Sequence, residues 1–206
     1  MRQGVWQRKK NKTKDVAVKL TKGSSDLCKA KIKEMMREAR LMRNLRHKNI
    51  VRIHGVAVLE QPLYIVLELV RGGALNSYLT KNKCSMEEKM NMCLGAARGV
   101  EHLHKNGVIH RDLAARNCLY QEKERLVKIS DFGLSRQAKE YKIKTAVKLP
   151  IKWLAPETIN SFVFTSKTDI YSYGVMVHEI FADGAEPWEK FTNTWVPSWW
   201  SNKIVF

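Results

Sequence analysis

The sequence of 206 residues predicts an α+β fold in two lobes. Strand-like segments and one helical segment occupy the first third of the chain, whereas most of the remaining chain has helical patterns. Hydrophobic residues make up 44% of the sequence, which is enough to bury a core. The length fits one domain, or one large domain that is cut short.

The first lobe is predicted to consist of strands and one helix. Short β-prone stretches bounded by polar or glycine-containing turns predict the strands. These strands are placed at 4–7, 15–20, 50–58 and 63–70, with a polar turn at 8–14 between the first two. Apolar side chains at three- and four-residue steps, with Lys and Arg on the other faces, predict a helix over 26–45. They are Met35, Met36, Ala39, Met42 and Leu45.

The second lobe is predicted to begin with a long helix. Its start is marked by Ser85-Met-Glu-Glu88, which has the capping-box pattern, and its end by Gly107. The stripe expected to be buried comprises Cys93, Ala96, Ala97, Val100, Leu103 and His104. Further along, the sequence predicts short strands at 108–110, 117–120 and 126–130, loop-like chain at 131–157 and a buried apolar helix over 166–183.

The charge of the chain is strongly positive, at +17, and a net +12 of it lies in residues 1–50. Such a basic end is compatible with binding to nucleic acid or to an anionic membrane. The Lys-rich run at 8–14 is more simply a solvated turn without interleaved aromatic residues, so nucleic-acid binding is not predicted. The apolar stretches at 63–70 and 174–182 are too short to span a membrane, and no signal peptide is expected.

The four cysteines, Cys28, Cys84, Cys93 and Cys118, contain no C-x-x-C pair and have no closely spaced histidines. This pattern argues against a zinc site and against a disulfide framework. It favours reduced thiols in a cytosolic protein.

The residues that can carry chemistry lie in four short motifs. The stretch His110-Arg-Asp-Leu-Ala-Ala-Arg-Asn117 matches the pattern H-R-D-x-x-x-x-N, and Asp131-Phe-Gly133 and Ala155-Pro-Glu157 follow it. Val16-Ala-Val-Lys19 lies upstream, at the end of a predicted strand. These four motifs, in this order, resemble the protein kinase superfamily, and the resemblance covers residues 5–190.

The resemblance implies a two-lobed protein kinase fold that is incomplete. The implied parts are a small N-lobe at 1–70, a partial C-lobe at 71–190 and an atypical tail at 191–206. The glycine-rich loop of the family is largely missing, because the position two residues before Val5 holds Gln3. Beyond Pro187 the chain also departs from the family, which continues through further helices. We therefore expect a kinase domain that is truncated at both ends.

Phosphoryl transfer depends on positioning and charge neutralisation, and the residues of these motifs can supply both. Asp112 is placed to accept the proton of an attacking hydroxyl group. Asp131 offers a carboxylate and Asn117 an amide oxygen, which are ligands that a hard cation such as Mg²⁺ prefers. Lys19 can hold the α- and β-phosphates of ATP, and Glu38 on the predicted helix can orient Lys19 through an ion pair. The alternative for Glu38 is an ordinary solvated helix position.

Two segments resemble tyrosine kinases more than serine/threonine kinases. Ala114 stands where serine/threonine kinases carry a Lys, and Arg116 takes over the cationic role. The segment Lys148-Leu-Pro-Ile-Lys-Trp153 is similar to the tyrosine-kinase platform on which a phenol ring reaches Asp112. The implied substrates are protein tyrosines, expected in an acidic sequence context.

The segment from Glu60 to Gly73 resembles the Fes/Fer branch of cytoplasmic, non-receptor tyrosine kinases. This resemblance makes Leu67 the gatekeeper of the nucleotide site. The residues implied to enclose adenine or to offer it backbone groups are Val5, Ala17, Leu67, Glu68, Val70 and Leu119.

The activation segment implied by the resemblance runs from Asp131 to Glu157. Tyr141 lies where tyrosine kinases carry their autophosphorylation site, and a phosphate there could pair with Arg111. The alternative for Tyr141 is an ordinary exposed loop residue. Asp169 matches the buried helical Asp that holds the backbone around the H-R-D motif.

Two functions remain open from the sequence. The first is an ATP-dependent protein-tyrosine kinase, which the intact catalytic residues favour. The second is a catalytically weak or inactive kinase-like module that acts by binding, which the departures at both ends favour.

Overall fold

The computed structural model of the chain describes residues 2–8, 12–20, 25–58, 63–143 and 149–189, with the backbone alone at 8 and 25–30. The predicted tail at 191–206 lies outside the described residues. Glu60 and Lys148, which belong to two of the family-like segments, also lie outside them. The described part combines antiparallel strands with helices, so the predicted α+β class is confirmed.

The chain begins with a β-hairpin. Strand β1 (Arg2–Arg8) pairs antiparallel with β2 (Lys12–Leu20), and Val5 lies opposite Asp15. The predicted turn at 8–14 is wrong at both of its ends, because the strands extend into it. Residues 12–15 are exposed, since the hairpin projects beyond the core and both of its faces meet solvent. Polar side chains therefore do not interrupt the strand.

Helix α1 (Ser25–Asn44) packs against a four-stranded antiparallel sheet. The sheet has the order β1-β2-β4-β3, with β3 at Ile53–Ala57 and β4 at Tyr64–Glu68. The predicted apolar stripe is buried at Met35, Ala39 and Met42 on α1 and at Leu45 just after it, whereas Met36 is half-buried. The predicted lobe boundary at residue 70 falls just after β4 and stays a prediction.

Two helices follow the sheet. Helix α2 (Leu75–Lys81) is absent from the sequence-based expectations. Helix α3 (Met86–Lys105) begins at the predicted capping box, where Glu88 N donates to Ser85 Oγ and Ser85 N donates to Glu88 Oε2. Its buried residues are Lys89, Met92, Gly95, Ala96, Gly99, Val100 and Leu103.

The buried stripe of α3 is therefore rotated relative to the prediction. Cys93, Ala97 and His104 are only half-buried. Gly99 explains the rotation, because a Cβ atom there would lie 2.8 Å from the backbone oxygen of Asn49. Glycine permits this close approach of α3 to the chain before β3.

The remaining elements are short, apart from the last helix. They are β5 (Val108–Ile109), β6 (Cys118–Gln121), β7 (Leu126–Ile129), β8 (Arg136–Gln137), β9 (Glu140–Lys142), α4 (Pro156–Ser161), β10 (Val163–Thr165) and α5 (Ser166–Phe181). Three antiparallel pairs form, β5 with β8, β6 with β7 and β9 with β10. The predicted loop at 131–157 is wrong at β8 and β9, because each is held by a partner strand distant in sequence.

One main hydrophobic cluster extends from α1 and the sheet to α3 and α5. Phe132 belongs to this cluster, and its ring meets the ring of His110 edge to face, with centroids 5.2 Å apart. Cys84, Cys93 and Cys118 are free thiols. Among the described residues, no helix is both long and apolar enough to cross a bilayer.

A stacked histidine pair joins the segment after α1 to α3. The rings of His47 and His102 lie 4.9 Å apart with an interplanar angle of 16°. Burial and the nearby His102, Lys48 and Lys128 lower the pKa of His47 below its usual 6.5. His47 therefore binds a proton less readily in the folded state than in the unfolded chain. Its contribution to stability is complete above pH 6.5 and decreases as the pH drops below that value.

We expect His47→Gln to reduce the loss of stability between pH 7.5 and pH 5.5, because the variant lacks the disfavoured protonation. His102→Leu should reduce it as well, since His102 is one of the groups that lower the pKa of His47. Urea unfolding of the parent and both variants at the two pH values measures the effect. An equal loss in all three proteins would contradict this assignment.

Candidate active site

Three of the predicted catalytic residues, Lys19, Glu38 and Asp112, line one cleft of about 980 Å³. Helix α1 and β2 form its upper wall, and the segments around residues 112 and 131 form its lower wall. Lys19, Glu38, Asp112, Asp131 and Tyr141 all face this cleft. Residues far apart in the sequence thus share one cavity, as a site for transfer chemistry requires.

An ion-paired triad joins the upper wall of the cleft to the lower wall. Lys19 Nζ lies 2.8 Å from both carboxylate oxygens of Glu38 and 3.3 Å from Asp131 Oδ1. Glu38 is 6% exposed, so the alternative of a solvated helix residue does not describe it. Burial alone would lower the pKa of Lys19, but the two carboxylates outweigh it and the pKa is raised. Lys19 is therefore a fixed cation at neutral pH.

The backbone of the H-R-D motif is held from below by α5. Asp169 is 1% exposed, and it accepts hydrogen bonds from the backbone N–H groups of His110 (2.7 Å) and Arg111 (2.9 Å). Arg111 has φ 72°, a conformation that costs energy in a non-glycine residue. His110 Nδ1 accepts from Asp112 N, so Nε2 carries the proton and donates to Ser130 O. These bonds fix the position of Asp112.

The side chain of Asp112 is held on both of its oxygens. Arg116 donates to Oδ1, and Asn117 Nδ2 donates to Oδ2 at 2.7 Å and to the Asp112 backbone oxygen at 2.8 Å. Burial raises the pKa of Asp112, and Arg116 acts against this shift. A carboxylate that is fixed, ionised and partly desolvated is a suitable acceptor for a hydroxyl proton.

Sequence reasoning missed the support beneath Arg116. Its guanidinium lies 4.0 Å from the ring centroid of Trp153, and Trp153 Nε1 donates to Glu179 Oε2 at 2.8 Å. The same Glu179 oxygen accepts from Ala115 N at 2.9 Å. Glu179 is 3% exposed, and burial raises its pKa. The available signal was an acidic residue within the mostly apolar segment 174–182.

Comparison with known proteins gives the family. The chain matches the family of protein tyrosine and serine/threonine kinases over residues 1–203. The chain belongs to this kinase family. It is 52% identical over 157 residues to Fer-related kinase 1 of Caenorhabditis elegans, covering 76% of this chain and 40% of that protein.

Two further relatives are tyrosine-protein kinases by name. Tyrosine-protein kinase FRK of Homo sapiens is 39% identical over 201 residues, covering 93% of this chain and 39% of that protein. The transforming protein Fps of an avian sarcoma virus (strain PRCII) is 44% identical over 165 residues, covering 78% and 31%. The predicted resemblance to the Fes/Fer branch is thus confirmed. This kinase chain spans two fifths or less of the length of these relatives.

Kinases of this family use ATP and a divalent metal ion, and the side chains of Asn117 and Asp131 offer oxygen ligands that fit such an ion. The amide nitrogen of Asn117 is committed to Asp112, which leaves its amide oxygen available. Asp131 Oδ1 is 3.3 Å from Lys19, and that cation outweighs desolvation and lowers the pKa of Asp131. One amide oxygen and one carboxylate suit a hard cation that takes its other ligands from phosphates and water.

The residues predicted to contact adenine lie along the kinase sheet and below it. Ala17 on β2 pairs with Leu67 on β4, and Leu67 is buried. Leu119 packs against the same core, whereas Val5 is 67% exposed on the outer hairpin. The Glu68 side chain does not face the cleft, because it binds Lys128 at 3.0 Å and the Arg52 backbone N–H.

The predicted regulatory residues meet at the edge of the kinase cleft. The Arg111 guanidinium lies 4.4 Å from the ring centroid of Tyr141, and Arg136 lies 4.9 Å from it on the same ring. A hydrogen bond with Arg136 is the main cause of the lowered pKa of Tyr141. Burial, with a contribution from Arg136, lowers the pKa of Arg111 to about 10. Arg136 was not among the predicted site residues.

Proposed function

We propose that this chain transfers the γ-phosphate of ATP to tyrosine hydroxyls of proteins, with Mg²⁺ as the divalent ion. The observation that carries the proposal is Asp112, held on both oxygens beside the Lys19–Glu38–Asp131 triad. The residues assigned to catalysis are Asp112, Arg116, Asn117, Lys19 and Glu38. Asn117 and Asp131 are assigned to the metal.

The proposed transfer exchanges atoms and electrons only among the tyrosine, ATP and the residues of the site. The tyrosine oxygen forms a bond to the γ-phosphorus, and its proton passes to Asp112. The bond from that phosphorus to the β–γ bridging oxygen breaks, and its electron pair leaves with ADP. Lys19 offsets phosphate charge, and Glu38 keeps its ammonium group in place.

Two residues that follow Asp112 in the sequence, Ala114 and Arg116, support a preference for tyrosine. Ala114 is fully buried and offers no cation beside Asp112. Arg116 supplies that cation, and its guanidinium lies 4.0 Å from the ring centroid of Trp153. The cation beside Asp112 thus comes from Arg116, as the resemblance to tyrosine kinases implies. Two of the relatives named above are tyrosine-protein kinases by name, in agreement with this preference.

Regulation through Tyr141 is part of the proposal. Arg111 and Arg136 already lie against its ring, and Arg111 Nε has no hydrogen-bond partner among the described residues. A phosphate on Tyr141 would gain charge-assisted bonds from these two cations. The same positive edge supports substrates with acidic residues near the tyrosine. A cytoplasmic location is proposed from the resemblance to the Fes/Fer branch.

Transfer of labelled phosphate from ATP to an acidic peptide with a single tyrosine tests the proposal. We expect the tyrosine peptide to be labelled at least about 10-fold faster than the same peptide with serine, because the shorter side chain does not reach Asp112. Equal rates would contradict the tyrosine preference. Binding of ATP without any transfer would favour the alternative, a kinase-like module that acts by binding.

A further inference from the structure

A second cavity lies on the side of α1 that faces away from the catalytic cleft. It has a volume of about 490 Å³ and is enclosed by α1, the segment after it, β3 and the outer ends of β1 and β2. Ala39, Met42 and Leu45 form a buried apolar floor. This volume lies within the range of sites that enclose a side chain or a small ligand.

The rim of this cavity carries positive charge only. Its cationic residues are Lys14, Arg40, Arg43, Arg46 and Arg52, and no Asp or Glu lines it. All five are exposed, and within the described residues their side chains have no ion pair or hydrogen bond. The catalytic cleft differs, because Glu34, Glu38, Asp112 and Asp131 line it together with its cations.

We propose that this cavity is a docking site for an acidic protein segment that inserts one apolar side chain. The apolar floor would take the anchor, and the arginine rim would pair with carboxylates or phosphates on either side of it. The shape favours a peptide over a membrane, since a lipid surface is bound by protruding apolar side chains and this apolar surface lies in a recess. The docking site is independent of the proposed phosphoryl transfer.

Fluorescence anisotropy with a fluorescein-labelled hexapeptide of sequence EEDFEE measures the binding. We expect saturable binding that weakens as salt is added. Replacing the phenylalanine of the peptide by alanine should weaken binding at least about 10-fold, because the apolar anchor is lost. A peptide of sequence KKKFKK should not bind.

Charge reversal locates the site. The double variant Arg43→Glu with Arg46→Glu should weaken peptide binding at least about 10-fold. The matched control, Lys33→Glu with Lys123→Glu, makes the same change in net charge at exposed positions outside the cavity and should bind as the parent does. Equal weakening of peptide binding in both variants would show that the peptide is attracted by the overall positive charge of the protein, and it would overturn the proposal.

Two other outcomes would also overturn it. One is binding to vesicles rich in phosphatidylserine without binding to the peptide, which would assign the rim to a membrane. The other is peptide binding that is unchanged by removal of the phenylalanine, because the cavity would then have no part in it. Circular dichroism of both double variants checks that they remain folded.

Discussion

Asp112→Asn is expected to lower the rate of phosphoryl transfer by about 10²- to 10⁴-fold, which is the usual contribution of a positioned general base. The amide keeps the size of the carboxylate, and its oxygen can still accept from Asn117 or Arg116. It cannot accept the hydroxyl proton. The loss corresponds to about 3 to 5 kcal/mol of transition-state stabilisation.

The loss should appear in kcat, with little change in the KM for ATP, because Asp112 is assigned to the hydroxyl proton and Lys19 to the phosphates. Glu124→Gln is a matched control, since it makes the same carboxylate-to-amide change at an exposed side chain that does not line the cleft. Chelation of Mg²⁺ by EDTA should stop transfer by the parent protein. Equal rates for Asp112→Asn and the parent would refute the catalytic assignment.

The sequence was most informative where chemistry restricts residue type. The residues of the four motifs could be assigned because phosphoryl transfer requires a base, a fixed cation and oxygen ligands. The structure places Lys19, Glu38, Asp112 and Asp131 in one cleft. The capping box at Ser85 and the apolar stripe of α1 could be predicted equally well, since both are local sequence patterns.

The parts that the sequence did not reveal depend on contacts between distant segments. Helix α2 has only two buried residues, Leu75 and Leu79, which is too short a pattern to identify a helix. Glu179 supports Trp153 and Ala115 across a long separation in sequence, so its role is visible only after folding. The buried face of α3 is likewise set by the chain that approaches Gly99.

Asp169 contributes both to the stability of the fold and to the geometry of the catalytic site, so its loss should affect both. Asp169→Ala would leave the backbone N–H groups of His110 and Arg111 buried without an acceptor, and His104 would lose its bond of 3.0 Å. Each unsatisfied buried group costs about 1 to 3 kcal/mol, so we expect a loss of about 3 to 5 kcal/mol in unfolding free energy. This is a large part of the stability of an ordinary domain.

The same substitution should also displace Asp112, because Asp169 holds Arg111 in a conformation with φ 72° that relaxes once its N–H is released. Urea unfolding measures the loss of stability, and phosphoryl transfer in the absence of urea measures the loss of activity. Lys167→Ala, at an exposed position two residues earlier on α5, is the control and should change neither. Equal urea midpoints for Asp169→Ala and Lys167→Ala would contradict this prediction. Because an unsatisfied buried N–H group costs stability, such a result would mean that contacts other than Asp169 hold the backbone of His110 and Arg111.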